Sequence, residues 1–238
     1  MWGQTFRFVR REARMTLRAL ANTLLSSLFE PPCAACAQVL RHPLDGAVCE
    51  VCWASVGQLV PLHERREGRH AVDWACAVGL YEGRLRDIIH ALKYERRRSI
   101  AKPLGGLMRT RGAALLRDAA VVVPVPLHPR RQRDRGFNQA DDLARQLGLP
   151  VASLLRRVKF TTSQIELPAD ARHENVRDAF AVAAGPAEAG RHIPAVVVLV
   201  DDVSTTGATL EACARVLKRG GVTEVRALTA ARVVTGRR

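Results

Sequence analysis

Hydrophobic positions along this chain follow two different periods. Between residues 6 and 28 they recur every three or four positions (Phe6, Val9, Ala13, Leu17, Leu20, Leu24, Leu28), while Arg7, Arg11, Arg14 and Arg18 fill the other side. That spacing predicts a basic amphipathic helix over residues 1–30, stopped by Pro31 and Pro32. Its apolar stripe is expected to pack against the rest of the chain, although an anionic membrane surface or a nucleic acid would accept the same pattern. Further along, apolar runs of strand length at 75–81, 121–125, 196–200 and 225–231 alternate with helical patterns at 85–93, 100–117, 138–147 and 209–219. Such alternation predicts an α/β fold with a largely parallel sheet covered by helices on both faces, and ligands at the carboxyl ends of its strands.

Between these two regions lies a polar, charged stretch, residues 63–70 (HERREGRH), where a boundary near residue 70 is expected. Three parts follow: the helix of residues 1–30, a small unit at 31–60, and the main domain at 71–238. The 238 residues are enough for one ordinary α/β domain plus such an appendage. At 47% hydrophobic and 25% charged the composition is that of a globular protein, and no run of about 18 apolar residues is present. The first 29 residues do not read as a signal peptide, because Asn22, Thr23, Ser26 and Ser27 interrupt the apolar part. A cytoplasmic protein is the expectation, with a peripheral position at the inner membrane as an option that the basic helix leaves open.

The net charge of +14 favours polyanions in general, and lysine supplies only four of the 37 basic residues (Lys93, Lys102, Lys159, Lys218). The rest are arginines, suited to bidentate contact with phosphate. Biased codon usage would produce the same excess.

Cys33-Ala-Ala-Cys36 and Cys49-Glu-Val-Cys52 form two CxxC knuckles separated by twelve residues. Each knuckle presents two thiolates to one face of a tetrahedral ion, and four sulfur ligands leave no position for a reactive water. A segment this short has little core of its own, so the reading is a structural zinc ribbon. His42 and His63 are taken as bystanders, and Cys76 and Cys213 as core residues.

The segment Val196-Val-Val-Leu-Val200-Asp201-Asp202-Val203-Ser204-Thr205-Thr206-Gly207-Ala208-Thr209 carries the most chemistry. A buried strand delivers two acids, then a loop rich in hydroxyls and glycine that runs into a helix. Backbone N–H groups at that helix start, joined by threonine hydroxyls, form a seat for a phosphate monoester, and the acids accept hydrogen bonds from sugar hydroxyls. A ribose 5-phosphate has both features. Neither GxxxxGK nor GxGxxG occurs, which argues against a nucleoside triphosphate loop or a dinucleotide fold.

The stretch resembles the phosphoribosyl pyrophosphate motif of type I phosphoribosyltransferases. Together with the two knuckles, Pro124-Val-Pro-Leu-His128, Arg135-Gly-Phe-Asn-Gln139, and Gln164, Arg172 and Asn175 ahead of Phe180, the chain is similar to the ComF family over about residues 31–235. The resemblance implies that Asp201 and Asp202 hold the ribose hydroxyls with Mg²⁺ bridging to the pyrophosphate. Val203, Ser204, Thr205, Thr206, Gly207 and Thr209 would cradle the 5-phosphate.

The arginine-rich segment from His128 to Phe137 follows a strand, so Lys93, His128, Arg131, Arg135, Asn138 and Gln139 are candidates for contact with pyrophosphate or nucleic acid. Phe137 is expected in the core rather than as a stacking platform. Residues 160–177 are polar enough for a flap over the ligand. The family implies a competence protein that binds phosphoribosyl pyrophosphate and single-stranded DNA during DNA uptake, with a competence helicase or other uptake proteins as partners. The alternative is an active phosphoribosyltransferase of nucleotide salvage that releases pyrophosphate. No nucleobase-recognition element is evident in the sequence, which weighs against the alternative.

Overall fold

The computed structural model describes residues 5–66, 68, 70–159, 178–183 and 194–234, with side chains from residue 17 onward. The chain opens with α1 (Thr5–Phe29) and continues through the cysteine segment into α2 (Glu50–Gly57) and β1 (Leu62–Arg65). After β2 (Trp74–Leu80) come α3 (Gly83–Tyr94), α4 (Ala101–Arg111), α5 (Ala113–Leu116) and β3 (Val121–Pro124). The second half contains α6 (Pro129–Arg135), α7 (Gln139–Ala144), β4 (Leu155–Arg157), β5 (Phe180–Val182), β6 (Val196–Ser204), α8 (Ala208–Arg219) and β7 (Glu224–Arg232).

Five strands form one sheet in the order β1-β2-β7-β6-β3, parallel throughout except for the antiparallel edge strand β1. Sheet alternation sorts the apolar side chains into two cores. Val198, Val200, Leu228 and Ala230 face one side, with Ile88, Ile89 and Leu92 of α3, Leu104 and Met108 of α4 and Leu143 of α7. Val197, Leu199, Val225 and Ala227 face the other, with Leu210, Cys213 and Leu217 of α8 and Phe180 of β5. Both faces are covered, which is why β6 and β7 read as near-continuous apolar runs.

Several expectations change. The stretch 63–70, read as a separator, supplies most of β1, which pairs with β2 from Leu62↔Ala77 to Arg65↔Trp74. The sheet therefore begins before residue 70. His63-Glu-Arg looked like solvated linker because an edge strand buries only one side of its backbone, leaving a pattern with little apolar content. The single helix expected over 100–117 breaks at Gly112, where the chain passes so close to Leu228 that an added Cβ would lie 2.7 Å from its Cδ atoms. The helix expected at 138–147 is shorter, with Asn138 as its cap. The arginine-rich segment after Leu127 is a helix, α6, and the antiparallel pair β4–β5 was not anticipated.

The apolar stripe of α1 also departs from expectation. Leu17, Leu20, Leu24 and Leu28 are 60–72% exposed rather than packed on the chain. Contact with the remainder runs through Asn22, whose Oδ1 accepts the Leu44 amide at 2.9 Å, and Arg18, paired with Asp45. Among the described residues no helix is long and apolar enough to cross a membrane.

Candidate functional site

Sheet geometry explains how the two acids are presented. β6 runs on through Asp201 and Asp202 to Ser204, beyond the 196–200 expected, so the acids occupy consecutive positions of a strand and face opposite sides of the sheet. Asp202 turns toward α3 and pairs with Lys93 Nζ at 2.8 Å, both side chains being largely buried. Asp201 lies on the other side, within the field of Arg157 and Cys213, and its Oδ1 accepts the Asp202 amide at 2.8 Å.

The electrostatics follow from burial. Desolvation, with the neighbouring Asp202 charge adding to it, pushes the Asp201 carboxyl up to about 7, only partly opposed by Lys93 and Arg157. For Lys93 burial alone would disfavour the ammonium, but Asp202 and then Asp201 outweigh it and raise its pKa. Arg131 and Arg157 are shifted the other way, by burial first and then by neighbouring arginines. The site thus gathers Lys93, Arg131 and Arg157 around two acids, a setting that attracts an anion and, at the carboxylates, a cation or hydroxyl.

These groups line a cleft of about 360 Å³ at the carboxyl end of the sheet, together with Thr205 and Thr209. Of the residues singled out from sequence, Lys93, Arg131, Arg135, Asn138, Gln139, Asp201, Asp202, Val203, Thr205 and Thr209 border it. The Gln139 side chain is 1% exposed, and its Nε2 has no hydrogen-bond partner among the described residues. An orphaned buried amide bordering a cleft is costly and points to a missing acceptor.

Other candidates sit elsewhere. His128 does not border the cleft; its Nδ1 accepts the Arg130 amide at 3.2 Å and caps α6, because Pro129 at the first helical position leaves the next amide to be satisfied. Ser204 is buried at the strand end, its carbonyl accepting the Val233 amide. Thr206 Oγ1 accepts the Ala208 amide at 3.4 Å and so shapes the turn into α8. Gly207 holds φ +79° there, with a would-be Cβ 3.4 Å from Arg66 Nη1. Phe137 is in the core, as expected, with Arg98 stacked 5.2 Å above its ring. Gln164, Arg172, Asn175 and the expected flap at 160–177 lie outside the described residues.

The sequence reading missed Arg157 and Tyr81, which also border the cleft. Arg157 belongs to the unexpected strand β4, where Leu155 points inward and Arg156 outward; that alternation was the available signal. Also missed was the anchor beneath the loop. Glu211 in the first turns of α8 accepts the Ala71 amide at 2.8 Å and pairs with Arg66 and His70, tying the supposed linker to the threonine loop.

Beside α3, in a hollow that His90 and Glu95 also border, the four cysteine sulfurs lie within 4.8 Å of one another, with Cys33–Cys52 at 4.0 Å and Cys36–Cys49 at 3.8 Å. Tetrahedral Zn–S bonds of about 2.3 Å place sulfurs about 3.8 Å apart, so the arrangement is compatible with a metal site. The Ala35 and Cys49 amides donate to Cys33 Sγ at 3.4 and 3.3 Å. Although burial works against it, these bonds bring the Cys33 thiol down to about 6, while burial and its neighbours push Cys52 up.

A phosphoribosyl transferase domain model matches residues 133–238, the C-terminal part of the chain that contains β6, the threonine loop and α8. The DNA utilization protein YhgH of Salmonella typhi is 32% identical over 204 residues, 81% of this chain and 86% of that protein. The chain belongs to the ComF family. Competence protein F of Haemophilus influenzae is 40% identical over 109 residues, 44% of this chain and 46% of that protein. Competence protein ComFC of Streptococcus pneumoniae is 28% identical over 110 residues, 46% of this chain and 47% of that one. The chain thus matches less than half of competence protein F but most of the Salmonella relative. The ComF assignment agrees with a mostly parallel α/β sheet joined to a four-cysteine cluster.

Proposed function

We propose that this chain binds phosphoribosyl pyrophosphate with Mg²⁺ in the cleft at the end of β6, handles single-stranded DNA during uptake, and carries a structural zinc at its four cysteines. The observation that carries the first part is the convergence of Asp201, Asp202, Lys93, Thr205 and Thr209 on one cleft, beside a Gln139 amide that has no partner among the described residues. The acids would accept from the ribose hydroxyls, and amides at the start of α8 would take the 5-phosphate. Arg131, Arg135 and Lys93 would meet the pyrophosphate. Mg²⁺ supplies charge neutralisation for pyrophosphate oxygens.

Names of the relatives, competence and DNA utilization, support the role in DNA uptake. The zinc reading rests on the sulfur separations and on the knuckle amides that stabilise Cys33 as a thiolate. Partner proteins of the uptake machinery follow from the family alone. A position at the inner membrane would use the exposed leucines of α1.

Titration calorimetry with phosphoribosyl pyrophosphate and Mg²⁺, on the wild type and on Asp201→Asn/Asp202→Asn, is the test. Saturable binding that the double variant loses is the expected result; heat that is equal in both would sink the site. Pyrophosphate release across a panel of nucleobases on the same samples separates the readings further. Base-dependent release would make the chain a phosphoribosyltransferase, a reading favoured by the presence of both acids and every threonine of the loop.

A further inference from the structure

A second cleft, of about 500 Å³, adjoins the first. Pro126, Leu127, Asn138 and Arg157 border both, so the two spaces meet along one shared wall. The chemistry changes from one to the other. Where the first has Asp201, Asp202 and the threonine loop, the second sets Pro126, Leu127 and Pro129 beside Arg98, Asp142 and Arg156.

Arg98 is fixed over Phe137 by two bonds to Asp142, Nε to Oδ2 at 2.8 Å and Nη2 to Oδ1 at 2.7 Å. A guanidinium held in plane by a bidentate carboxylate is a rigid stacking surface. Prolines and a clamped arginine, the latter backed by the buried Phe137 ring, offer an unpaired base a face to stack on, and the arrangement is sequence-tolerant because every base has a π-face.

Around the first cleft, and partly bordering it, the surface is strongly cationic. α6 presents Arg130, Arg131, Arg133 and Arg135 within seven residues. Arg96 donates to the Asp134 carbonyl at 2.8 Å, bringing the turn after α3 beside it, and Arg135 lies 5.2 Å from the ring of the exposed Tyr94. A free mononucleotide has one phosphate and no need of so long a rim. A strand with a phosphate at each step does.

We infer that the paired clefts hold the 5′-phosphorylated terminal nucleotide of a single strand. The phosphate monoester takes the Thr205–Thr209 loop, the sugar lies at Asp201 and Asp202, the base enters the second cleft, and the following phosphates run along α6. This inference rests on the sugar-phosphate reading above and deepens it: the strand end and phosphoribosyl pyrophosphate compete for one seat. No bond is made or broken. The shared chemistry is a nucleoside 5′-monophosphate unit, which a free nucleotide also supplies, so the test separates the two sources.

Fluorescence anisotropy with 3′-labelled oligodeoxythymidylate, carrying either a 5′-phosphate or a 5′-hydroxyl, reads the inference on the full chain. The phosphorylated strand is expected to bind about tenfold tighter or more. Phosphoribosyl pyrophosphate with Mg²⁺ should remove that advantage and leave hydroxyl-ended binding unchanged. Thymidine 5′-monophosphate should compete far more weakly than the phosphorylated strand. Arg98→Gln, at an exposed side chain, should reduce the phosphorylated-strand affinity while calorimetric binding of phosphoribosyl pyrophosphate is retained. Equal affinity for both strand ends, or a mononucleotide competing as well as the strand, overturns the inference. If phosphoribosyl pyrophosphate binds and the ends are not distinguished, the inference alone has failed; if phosphoribosyl pyrophosphate does not bind, the sugar-phosphate reading has failed with it.

Discussion

The cysteine unit and the cleft at the end of the sheet gather their functional groups over very different lengths of chain. Cys33 to Cys52 lie within twenty residues, and their sulfurs come within 4.8 Å of one another over that short length of chain. Lys93 and Asp202 are more than a hundred residues apart, and their 2.8 Å contact exists only because α3 packs across the sheet next to β6. A short-range site can be assembled by its ligand; a long-range site must be assembled by its core. The two still touch, since Cys33, Leu40, Val48, Cys52 and Val56 join the same buried cluster as Ile88 and Leu92. Arg111 adds a polar tie, donating to the carbonyls of Gly57, Leu59 and Val78.

The largest expected effect tests whether the cysteine unit depends on metal. Cys36→Ser, or a chelator, should remove bound zinc and cost the unit on the order of 10 kcal/mol of local folding free energy. Hydrogen exchange should then rise across residues 33–56 while β6 and β7 stay protected. Loss of protection in the sheet as well would break the contrast and show one cooperative unit.

Next, Leu228→Ala removes a fully buried side chain from the centre of β7 and should destabilise the sheet by about 2–5 kcal/mol in urea unfolding. Zinc content should be unchanged. If zinc is lost in parallel, the cysteine unit relies on the sheet after all.

Gly207→Ala is smaller and more pointed. At φ +79° an alanine costs about 1–2 kcal/mol, while its Cβ would only touch the end of the Arg66 side chain. Binding of phosphoribosyl pyrophosphate should weaken more than melting temperature falls; a proportionate loss of both would make the loop merely structural.

The smallest effect is one of pH. Asp201 is pushed up to about 7 in the fold from an ordinary carboxyl near 3.8, so the folded state holds a proton that the unfolded chain has released. Its contribution to stability is present in full below the unfolded value and is lost as pH rises through about 7. Asp201→Asn should therefore gain stability relative to wild type at pH 8 and not at pH 3. Conversely, ligand binding that needs the carboxylate should tighten between pH 6 and 8 by up to about tenfold, a rise absent in the variant. A flat wild-type profile would place Asp201 outside the binding event.

Legibility in the sequence divided along the same line. The centres of the buried strands, near 75–80, 196–200 and 225–231, were readable because a parallel strand covered on both faces carries mostly apolar residues. Edge strand β1 and the antiparallel pair β4–β5 were not, because a strand buried on one side carries charges such as Glu64 and Arg156 on the other. The exposed face of α1 was misjudged for a related reason: amphipathicity says that a helix wants a partner, not that one is present.

By itself the sequence determined the four-cysteine spacing, the buried apolar run that leads into two acids, and the glycine-threonine turn into α8. These are local matters of spacing, side-chain period and backbone freedom. Only the tertiary structure decided that Lys93 faces Asp202, that Arg157 and the orphaned Gln139 amide border the same cleft, and that a proline-walled second cleft adjoins it. It also decided that Arg66 and Glu211 brace the loop from beneath. These contacts join residues distant along the chain, and their energies come from burial and charge proximity, which exist only once the sheet and its helices have packed.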